Sequence, residues 1–162
     1  MQFHSLDSEE VFPGDSLFSS LKIHLNHGQL MVLTGPNGSG KSTLLRLLAR
    51  RAGIEAGTAG KDLCRSNPWP ESVHGDVSVG FYLPQIIAPE ERSGGQRQRS
   101  RWEVLMEARP GMDSLLLLDE PFRHLDQEFR LRALTFLEGL RCHMLIVSHD
   151  LDLLERADSI LH

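Results

Sequence analysis

An α/β fold with a mainly parallel sheet is predicted by two features of this sequence. Short apolar runs occur without alternating polar residues, which is typical of strands that are buried on both faces of a parallel sheet. Segments with helical periodicity separate these runs, as in strand–helix–strand units. The predicted strands span residues 30–34, 79–83, 115–118 and 144–147.

Three helices are predicted between these strands, over residues 41–52, 95–109 and 126–140. Each of them repeats apolar residues at the three- and four-residue spacing of a helix with one buried face. Gly53 and the pair Pro110-Gly111 follow the first two helices. Glycine and proline are common just beyond the last turn, so these residues are predicted to end the helices.

The remaining segments predict a smaller β portion and irregular connections. Residues 21–25 alternate in polarity and indicate a short strand before the turn His27-Gly28, within a small N-terminal antiparallel β portion. Residues 53–77 contain four glycines and two prolines, which favour loops with short edge strands. The length and the continuity of the pattern predict one domain over residues 1–162.

The composition excludes several classes of protein. The 162 residues include 17 basic and 22 acidic side chains, for a net charge of −5, and 40% are apolar. This balance is too apolar for intrinsic disorder and argues against nucleic acid as the main partner. Two cysteines without metal-ligand spacing exclude a disulfide scaffold and a zinc ribbon. No apolar run approaches the ~18 residues of a membrane helix.

The clearest chemical motif is the glycine-rich segment 35–43, which fits the Walker A phosphate-loop pattern G-x-x-x-x-G-K-[ST]. It follows a predicted strand and opens a predicted helix. Its backbone N–H groups and the positive end of the helix favour bound phosphates, and Lys41 adds a full charge. A plain glycine turn is the alternative. The residues predicted to bind nucleotide are Asn37, Gly38, Ser39, Gly40, Lys41, Ser42 and Thr43, with the Ser42 hydroxyl also available to Mg²⁺.

A second motif places two acids at the end of the strand 115–118. Asp119 is predicted to hold Mg²⁺ or its water shell, and Glu120 to polarise the water that attacks the terminal phosphate. A turn acid is the alternative for Asp119, and a purely electrostatic role is the alternative for Glu120. Gln85 and His149 also follow predicted strands, so all four side chains are expected at one edge of the sheet.

The order of these motifs resembles that of the ATP-binding cassette (ABC) ATPases, which belong to the P-loop NTPase fold. The string Ser93-Gly94-Gly95-Gln96 is similar to the family's signature motif and is followed by Arg97-Gln98-Arg99. Residues 115–121 are followed by 122–126, which look like the family's D-loop. Phe12 stands where the family has an aromatic residue that stacks on adenine. The sequence of the acidic motif, Asp-Glu-Pro-Phe-x-x-Leu-Asp, is most similar to that of importer subunits.

This resemblance implies a mechanism with two subunits that meet head to tail around two ATP molecules. Each ATP would lie on one subunit's phosphate loop and under the other subunit's Ser93, Gly94, Gly95 and Gln96. Gln85 would sense Mg²⁺ and the attacking water, which makes it both a catalytic and a metal-site residue. His149 would contact the terminal phosphate and steady Glu120, and Asp126 would connect the two sites.

Several of these residues have simpler explanations. Phe12 is also consistent with a core aromatic, and Gln85 with a solvated glutamine in a turn. Asp126 fits an N-cap of the next helix, a role compatible with the first. The basic residues that follow the signature motif are predicted to form a solvated helix face, with a nucleic-acid patch as the alternative; they are Arg97, Arg99 and Arg101.

The chain departs from the family between Gln85 and Ser93. Only the connector 86–92 lies there, where the family places a helical subdomain that helps to dock the membrane subunit. Seven extended residues span at most ~25 Å, so this subdomain is predicted to be absent. The departure leaves the ATP-binding core intact but affects docking and the reach of the signature motif.

The resemblance therefore implies an Mg-ATP-hydrolysing subunit that energises an ABC transporter. The expected partners are ATP, a second copy in a nucleotide-dependent homodimer and a membrane permease, with no nucleic acid. The expected location is the cytoplasm or, through a partner, the inner face of the cell membrane. Two alternatives stay open: a non-transport ABC ATPase that acts on nucleic acid, the ribosome or protein, and a nucleotide-binding module with little turnover alone.

Overall fold

The computed structural model of the chain describes residues 6–7, 22–23, 25–51, 54, 64–66, 79–86 and 91–162. Strands and helices alternate through most of this part. The strands are β1 (Leu6–Asp7), β2 (Lys22–Ile23), β3 (Leu30–Leu33), β4 (Cys64–Ser66), β5 (Val79–Leu83), β6 (Ser114–Asp119), β7 (His143–Val147) and β8 (Ser159–Leu161). The helices are α1 (Lys41–Arg51), α2 (Glu91–Ala108), α3 (Gln127–Gly139) and α4 (Leu151–Arg156).

Six of the strands form one sheet in the order β4-β5-β6-β7-β3-β8. Neighbouring strands along the run β5-β6-β7-β3-β8 pair in parallel, and β4 pairs with β5 as an antiparallel edge strand. The register pairs Leu118 with Ile146 and Leu33 with Val147, so the carboxyl ends of β6, β7 and β3 meet at one edge. β1 and β2 form a separate antiparallel pair, as the sequence predicts.

The sheet separates two apolar clusters, which explains why its strands lack alternation. Leu115 and Leu117 of β6 face the cluster that includes α1, while Leu116 and Leu118 face the cluster that includes α2 and α3. All six residues of β6 are buried. Parallel strands that are covered on both faces need apolar side chains in both directions, so the predicted α/β architecture is confirmed.

Cys142 lies in the turn before β7, within the second cluster. Its thiol is fully buried and unpaired with another cysteine. Burial in apolar surroundings raises the pKa of this thiol to about 12. The Cys142 carbonyl accepts a hydrogen bond from the Gly28 N–H at 3.0 Å, which ties the turn before β3 to the start of β7.

Helix α2 begins four residues earlier than the sequence predicts. The prediction starts the helix at Gly95, whereas the helix starts at Glu91 and includes two adjacent glycines, which have low helix propensity. Two residues of the predicted connector, Glu91 and Arg92, are therefore helical. Gly94 is buried, and a Cβ on Gly95 would lie 2.9 Å from the His124 carbonyl oxygen. Close packing between the helix and this loop thus overrides the weak propensity of the glycines.

The prediction of a solvated arginine face on α2 is wrong for one of its three members. Arg97 and Arg99 are exposed, but Arg101 is only 2% exposed. Its guanidinium donates to the Pro84 carbonyl at 2.6 Å and to the Gln98 side-chain oxygen at 3.2 Å. A buried arginine needs such partners, because burial removes its water shell.

Across the residues that the structure describes, no helix has both the length and the apolar character needed to cross a bilayer.

Candidate functional site

The phosphate loop connects β3 to α1 and is shaped by glycines with positive φ. Gly35, Gly38 and Gly40 have φ of +145°, +83° and +91°. A Cβ on Gly38 would meet no atom within 4 Å, so its conformation alone demands glycine there. The loop and the first turn of α1 form a concave backbone surface at the carboxyl edge of the sheet.

The Lys41 side chain folds over this loop. Its ammonium group donates to the carbonyl oxygens of Gly35 and Pro36, both at 2.8 Å, and lies 3.4 Å from the Ser39 hydroxyl. These contacts hold a positive charge against the mouth of the loop. The oxygens of a bound polyphosphate would compete with these carbonyls for the Lys41 ammonium group. Lys41 is therefore placed where it can bind phosphate.

Asp119 ends β6 beneath the loop. It is 2% exposed, and its carboxylate accepts a hydrogen bond from the Ser42 hydroxyl at 3.1 Å. The carboxylate also accepts a hydrogen bond from the Gln85 backbone N–H. Burial raises the pKa of the Asp119 carboxyl, and the Ser42 bond and the charges of Arg46 and Lys41 oppose the rise. The carboxylate is therefore short of compensating positive charge.

Glu120, the next residue, turns the chain out of the sheet. Its φ is +47°, and its N–H donates to the Val147 carbonyl at 2.8 Å. Its carboxylate lies 3.9 Å from His149 Nε2, and the Thr34 hydroxyl lies 3.4 Å from His149 Nδ1. Burial raises the pKa of the Glu120 carboxyl, and the charge of His149 opposes that rise. The result is a carboxylate of increased basicity beside an imidazole.

These groups surround one cavity of about 400 Å³ at the sheet edge. Among the predicted site residues, the lining contains six from the phosphate loop and one from each of the three other strand ends. The lining residues are Asn37, Gly38, Gly40, Lys41, Ser42, Thr43, Gln85, Glu120, Arg123, Val147 and His149. Four separate parts of the sequence are thus brought together as their positions after the strands predict.

The predicted signature residues lie elsewhere. Gly94, Gly95 and Gln96 belong to the first half of α2 and do not line the cavity. The backbone of Ser93 is helical. Phe12, which is predicted to stack on adenine, lies outside the described residues. The chain therefore does not place its signature motif over its own phosphate loop.

Asp126 is the N-cap of α3, which confirms the structural half of its prediction. Its carboxylate accepts from the Phe129 N–H at 2.9 Å and also pairs with the Arg99 guanidinium from α2. Asp126 does not line the cavity. The residue therefore joins the signature helix to the loop 120–126 within this subunit.

Two arginines at the site were not predicted. Arg123 lines the cavity three residues after Glu120, and Arg46 lies one turn after Ser42, whose carbonyl it contacts at 3.3 Å. Helical spacing from Ser42 is a signal that would have found Arg46. Arg123 sits in a turn, where spacing alone does not indicate direction.

Comparison with known proteins gives the family. The sequence model of the ABC transporter family matches residues 18–87. The chain is 31% identical to an aliphatic sulfonates import ATP-binding protein of Agrobacterium fabrum, over 87% of this chain and 67% of that protein. It is 28% identical to a thiamine import ATP-binding protein of Photorhabdus laumondii, over 85% and 77%. A zinc import ATP-binding protein of the same organism is also 28% identical, over 90% and 68%.

A solved structure agrees at the level of the fold. An ABC transporter ATP-binding protein from Pyrococcus furiosus superposes with a TM-score of 0.55 at 16% identity, over 87% of each chain. The match to the Agrobacterium protein extends over most of both chains at an identity that indicates common descent. On this evidence the chain belongs to the ABC transporter family and is one of its ATP-binding, ATP-hydrolysing members.

Proposed function

We propose that this chain binds and hydrolyses Mg-ATP as the energising subunit of an ABC-type importer. The observation that carries the proposal is the single cavity into which Lys41, Gln85, Glu120 and His149 converge from four parts of the chain. A cavity of this size suits a polyphosphate, and its lining is rich in groups that phosphoryl transfer uses.

The phosphate loop would hold the polyphosphate. Backbone N–H groups from Asn37 to Thr43 would surround the anionic oxygens, and Lys41 would move from the Gly35 and Pro36 carbonyls onto the terminal phosphates. The same backbone interactions are available to a diphosphate, so binding alone does not require the rest of the site.

The Mg²⁺ site fits the oxygen donors that are present. The Ser42 hydroxyl lies 3.1 Å from an Asp119 carboxylate oxygen, and Gln85, which follows β5, contacts the same carboxylate through its backbone. Burial leaves the Asp119 carboxylate under-compensated, so a cation there would relieve it, and magnesium prefers such hard oxygen ligands. When bound, Mg²⁺ would neutralise charge on the phosphates.

Glu120 and His149 are proposed to act on the attacking water. The raised pKa of Glu120 makes it a stronger base than an exposed carboxylate, and His149 Nε2 lies 3.9 Å from its carboxylate. As a base that accepts the proton from water, Glu120 would leave the hydroxyl free to attack the terminal phosphorus. Gln85 would orient the same water from the end of the neighbouring strand β5.

The signature motif is proposed to act on the ATP of a second copy of the chain. Ser93, Gly94, Gly95 and Gln96 would cover the partner's terminal phosphate, Asp126 would lie at the contact, and Phe12 would stack on adenine. The absence of Gly94–Gln96 from the chain's own cavity is consistent with a role in trans. The proposed homodimer is therefore head to tail, with each ATP between the phosphate loop of one copy and the signature motif of the other.

An importer role is favoured by the family relationship. Three similar proteins carry import names, but for different cargoes, so no cargo is proposed here. A membrane permease is the proposed partner, which would place the chain at the inner face of the membrane. The single domain over 1–162 would then form a compact motor without the helical subdomain.

A second candidate function is a non-transport ABC ATPase. Its support is the short link from Leu83 at the end of β5 to Glu91 at the start of α2, which leaves no room for the docking subdomain. The alignment with the Agrobacterium protein runs over 181 positions while covering 87% of this 162-residue chain, so the relative has residues that this chain lacks. Co-purification with a multi-span membrane protein would favour a transporter, and a stable complex with a soluble partner would favour the alternative.

The decisive test of the ATPase proposal is steady-state Mg-ATP hydrolysis as a function of protein concentration. Activity per molecule that rises with concentration and then saturates is the expected result, because each site needs the signature of a second copy. Flat activity near background, together with intact ATP binding, would contradict the dimer and leave a nucleotide-binding module.

Ser93→Arg separates the two halves of this proposal. The variant should bind ATP as a monomer with unchanged affinity and lose turnover, because the bulky side chain blocks only the partner's site. A loss of ATP affinity as large as that of Lys41→Ala would show that the signature does not act in trans.

A further inference from the structure

We propose that Gln98, Arg101 and Trp102 are positioning residues that hold both Glu120 and Gln85 in place from the signature helix α2. The inference rests on the proposed roles of Glu120 and Gln85 in hydrolysis. It concerns three side chains on two successive turns of one helix, all at most 2% exposed. None of them lines the cavity, so they act through other residues.

The first contact is with the residue that follows Glu120. The Pro121 carbonyl accepts two hydrogen bonds from α2, one from Gln98 Nε2 at 2.5 Å and one from Trp102 Nε1 at 2.8 Å. Trp102 also stacks on Phe122, with ring centroids 5.6 Å apart. Two donors and a ring contact fix the peptide that joins Pro121 to Phe122, one residue beyond Glu120.

Glu120 needs such support because its backbone is strained. A φ of +47° is uncommon for a residue with a Cβ and persists only where neighbouring contacts determine it. On one side, its N–H bonds to the Val147 carbonyl at 2.8 Å. On the other side, its carbonyl accepts from the Arg123 N–H at 3.3 Å, and α2 holds the next carbonyl, Pro121 O. The turn itself, α2 and β7 thus together restrict the direction of the Glu120 side chain.

The second contact is with the residue that precedes Gln85. Arg101 donates to the Pro84 carbonyl at 2.6 Å and, through its other terminal nitrogen, to Gln98 Oε1 at 3.2 Å. The second bond also sets the orientation of the Gln98 amide, because it leaves the NH₂ group pointing to Pro121. One buried network therefore runs from the strand end before Gln85 to the turn after Glu120.

The same helix begins at the signature motif. Gly95, within that motif, approaches the His124 carbonyl so closely that a Cβ would lie 2.9 Å from the oxygen. A displacement of α2 when its N-terminal half meets a partner would therefore move the turn 120–124 and the segment before Gln85 together. Hydrolysis in one subunit would respond to contacts made by that subunit's own signature.

The test compares two conservative variants with matched controls. Trp102→Phe removes one donor to Pro121 and keeps a ring, and Arg101→Met removes the network cation while filling similar space. Phe136→Leu disturbs the edge contact with Trp102 without touching Pro121, and Arg97→Met removes an exposed charge from the same helix. Each is measured for ATP affinity, kcat and local amide hydrogen exchange, with global stability from thermal unfolding.

We expect kcat to fall roughly 10-fold in Trp102→Phe and Arg101→Met, because small misplacements of catalytic groups are costly, while ATP affinity changes less than about two-fold. The Glu120 amide should exchange faster in both variants. The two controls should keep wild-type kcat and wild-type exchange at Glu120, and Arg101→Lys should recover part of the activity.

Unchanged kcat and unchanged exchange at Glu120 would overturn the inference. So would equally faster exchange throughout the sheet, since that is the result of a merely structural role. The exchange readout needs no turnover, so it decides even if the wild-type chain proves inactive. Failure of the wild-type chain to bind ATP would instead reject the proposed function, and the two failures are therefore distinguishable.

Discussion

The phosphate loop and the turn after β6 lie at the same sheet edge but are built in different ways. The loop is held by contacts between residues that are close in sequence, such as Lys41 Nζ with the Gly35 and Pro36 carbonyls. The turn is held by side chains from α2, which reach Pro121 from 19 and 23 residues away. The Lys41 ammonium group of the loop is therefore held locally, whereas the turn depends on the packing of α2.

This difference divides nucleotide binding from turnover. Changes in the loop should alter affinity, because the loop supplies the groups that surround the phosphates. Changes at the turn or at its support should alter turnover with little effect on affinity. The following predictions would break this division or make it sharper.

Glu120→Gln should have the largest effect. The amide cannot accept the proton from water, so we expect a loss of about 10²–10⁴-fold in kcat with ATP affinity kept. Single-turnover hydrolysis and equilibrium binding of a fluorescent ATP analogue would measure the two quantities. Wild-type turnover in this variant would place the base elsewhere.

Lys41→Ala should lower ATP affinity by about 100-fold, which corresponds to about 2.7 kcal/mol. The loop would lose the full charge that lies across its mouth, and the backbone N–H groups alone would remain. Arg50→Ala, an exposed arginine at the far end of α1, is the matched control and should bind normally. Normal affinity in Lys41→Ala would contradict the assignment of the phosphate loop.

Gly95→Ala tests how tightly α2 packs on the turn. The added Cβ would lie 2.9 Å from the His124 carbonyl oxygen, and overpacking of this kind costs about 1–3 kcal/mol. Gly139→Ala adds the same methyl group to a helix where no atom lies within 4 Å. Chemical denaturation should show Gly139→Ala at least as stable as wild type and Gly95→Ala less stable; equal stabilities would mean that the turn yields easily.

Asp119→Asn should give the smallest and least usual effect, a gain in stability. Burial raises the pKa of Asp119, so the folded state disfavours its charge, and its cost is present at pH 7. The variant should therefore unfold at higher denaturant concentration at pH 7. The difference should vanish below the ordinary carboxyl pKa, where both states of the wild type are protonated. A gain that persists at low pH would point to packing instead of charge.

The sequence predicts the loop and the strand ends well for a physical reason. The motif residues act through short spacing and strand direction, and both can be read from the sequence. They are glycine at 38 and 40, lysine at 41, and the acids at 119 and 120. The cavity brings these parts together as predicted.

The role of α2 could not be predicted in the same way. Arg101 bonds to the Pro84 carbonyl and Trp102 to the Pro121 carbonyl, and a backbone carbonyl carries no residue-specific signal. The start of α2 at Glu91 instead of Gly95 likewise depends on packing, because Gly95 closely approaches the His124 carbonyl. Long-range packing decided each of these points.

The buried thiol of Cys142 offers an internal reporter for this domain. With a pKa of about 12 it carries almost no thiolate at neutral pH, and thiolate is the form that alkylating reagents attack. Labelling of Cys142 therefore requires the region around β7 to open. A nucleotide that binds only the folded chain should slow that labelling in proportion to its saturation of the site. Peptide mapping of alkylated Cys142 would thus measure how much a bound nucleotide stabilises the folded chain.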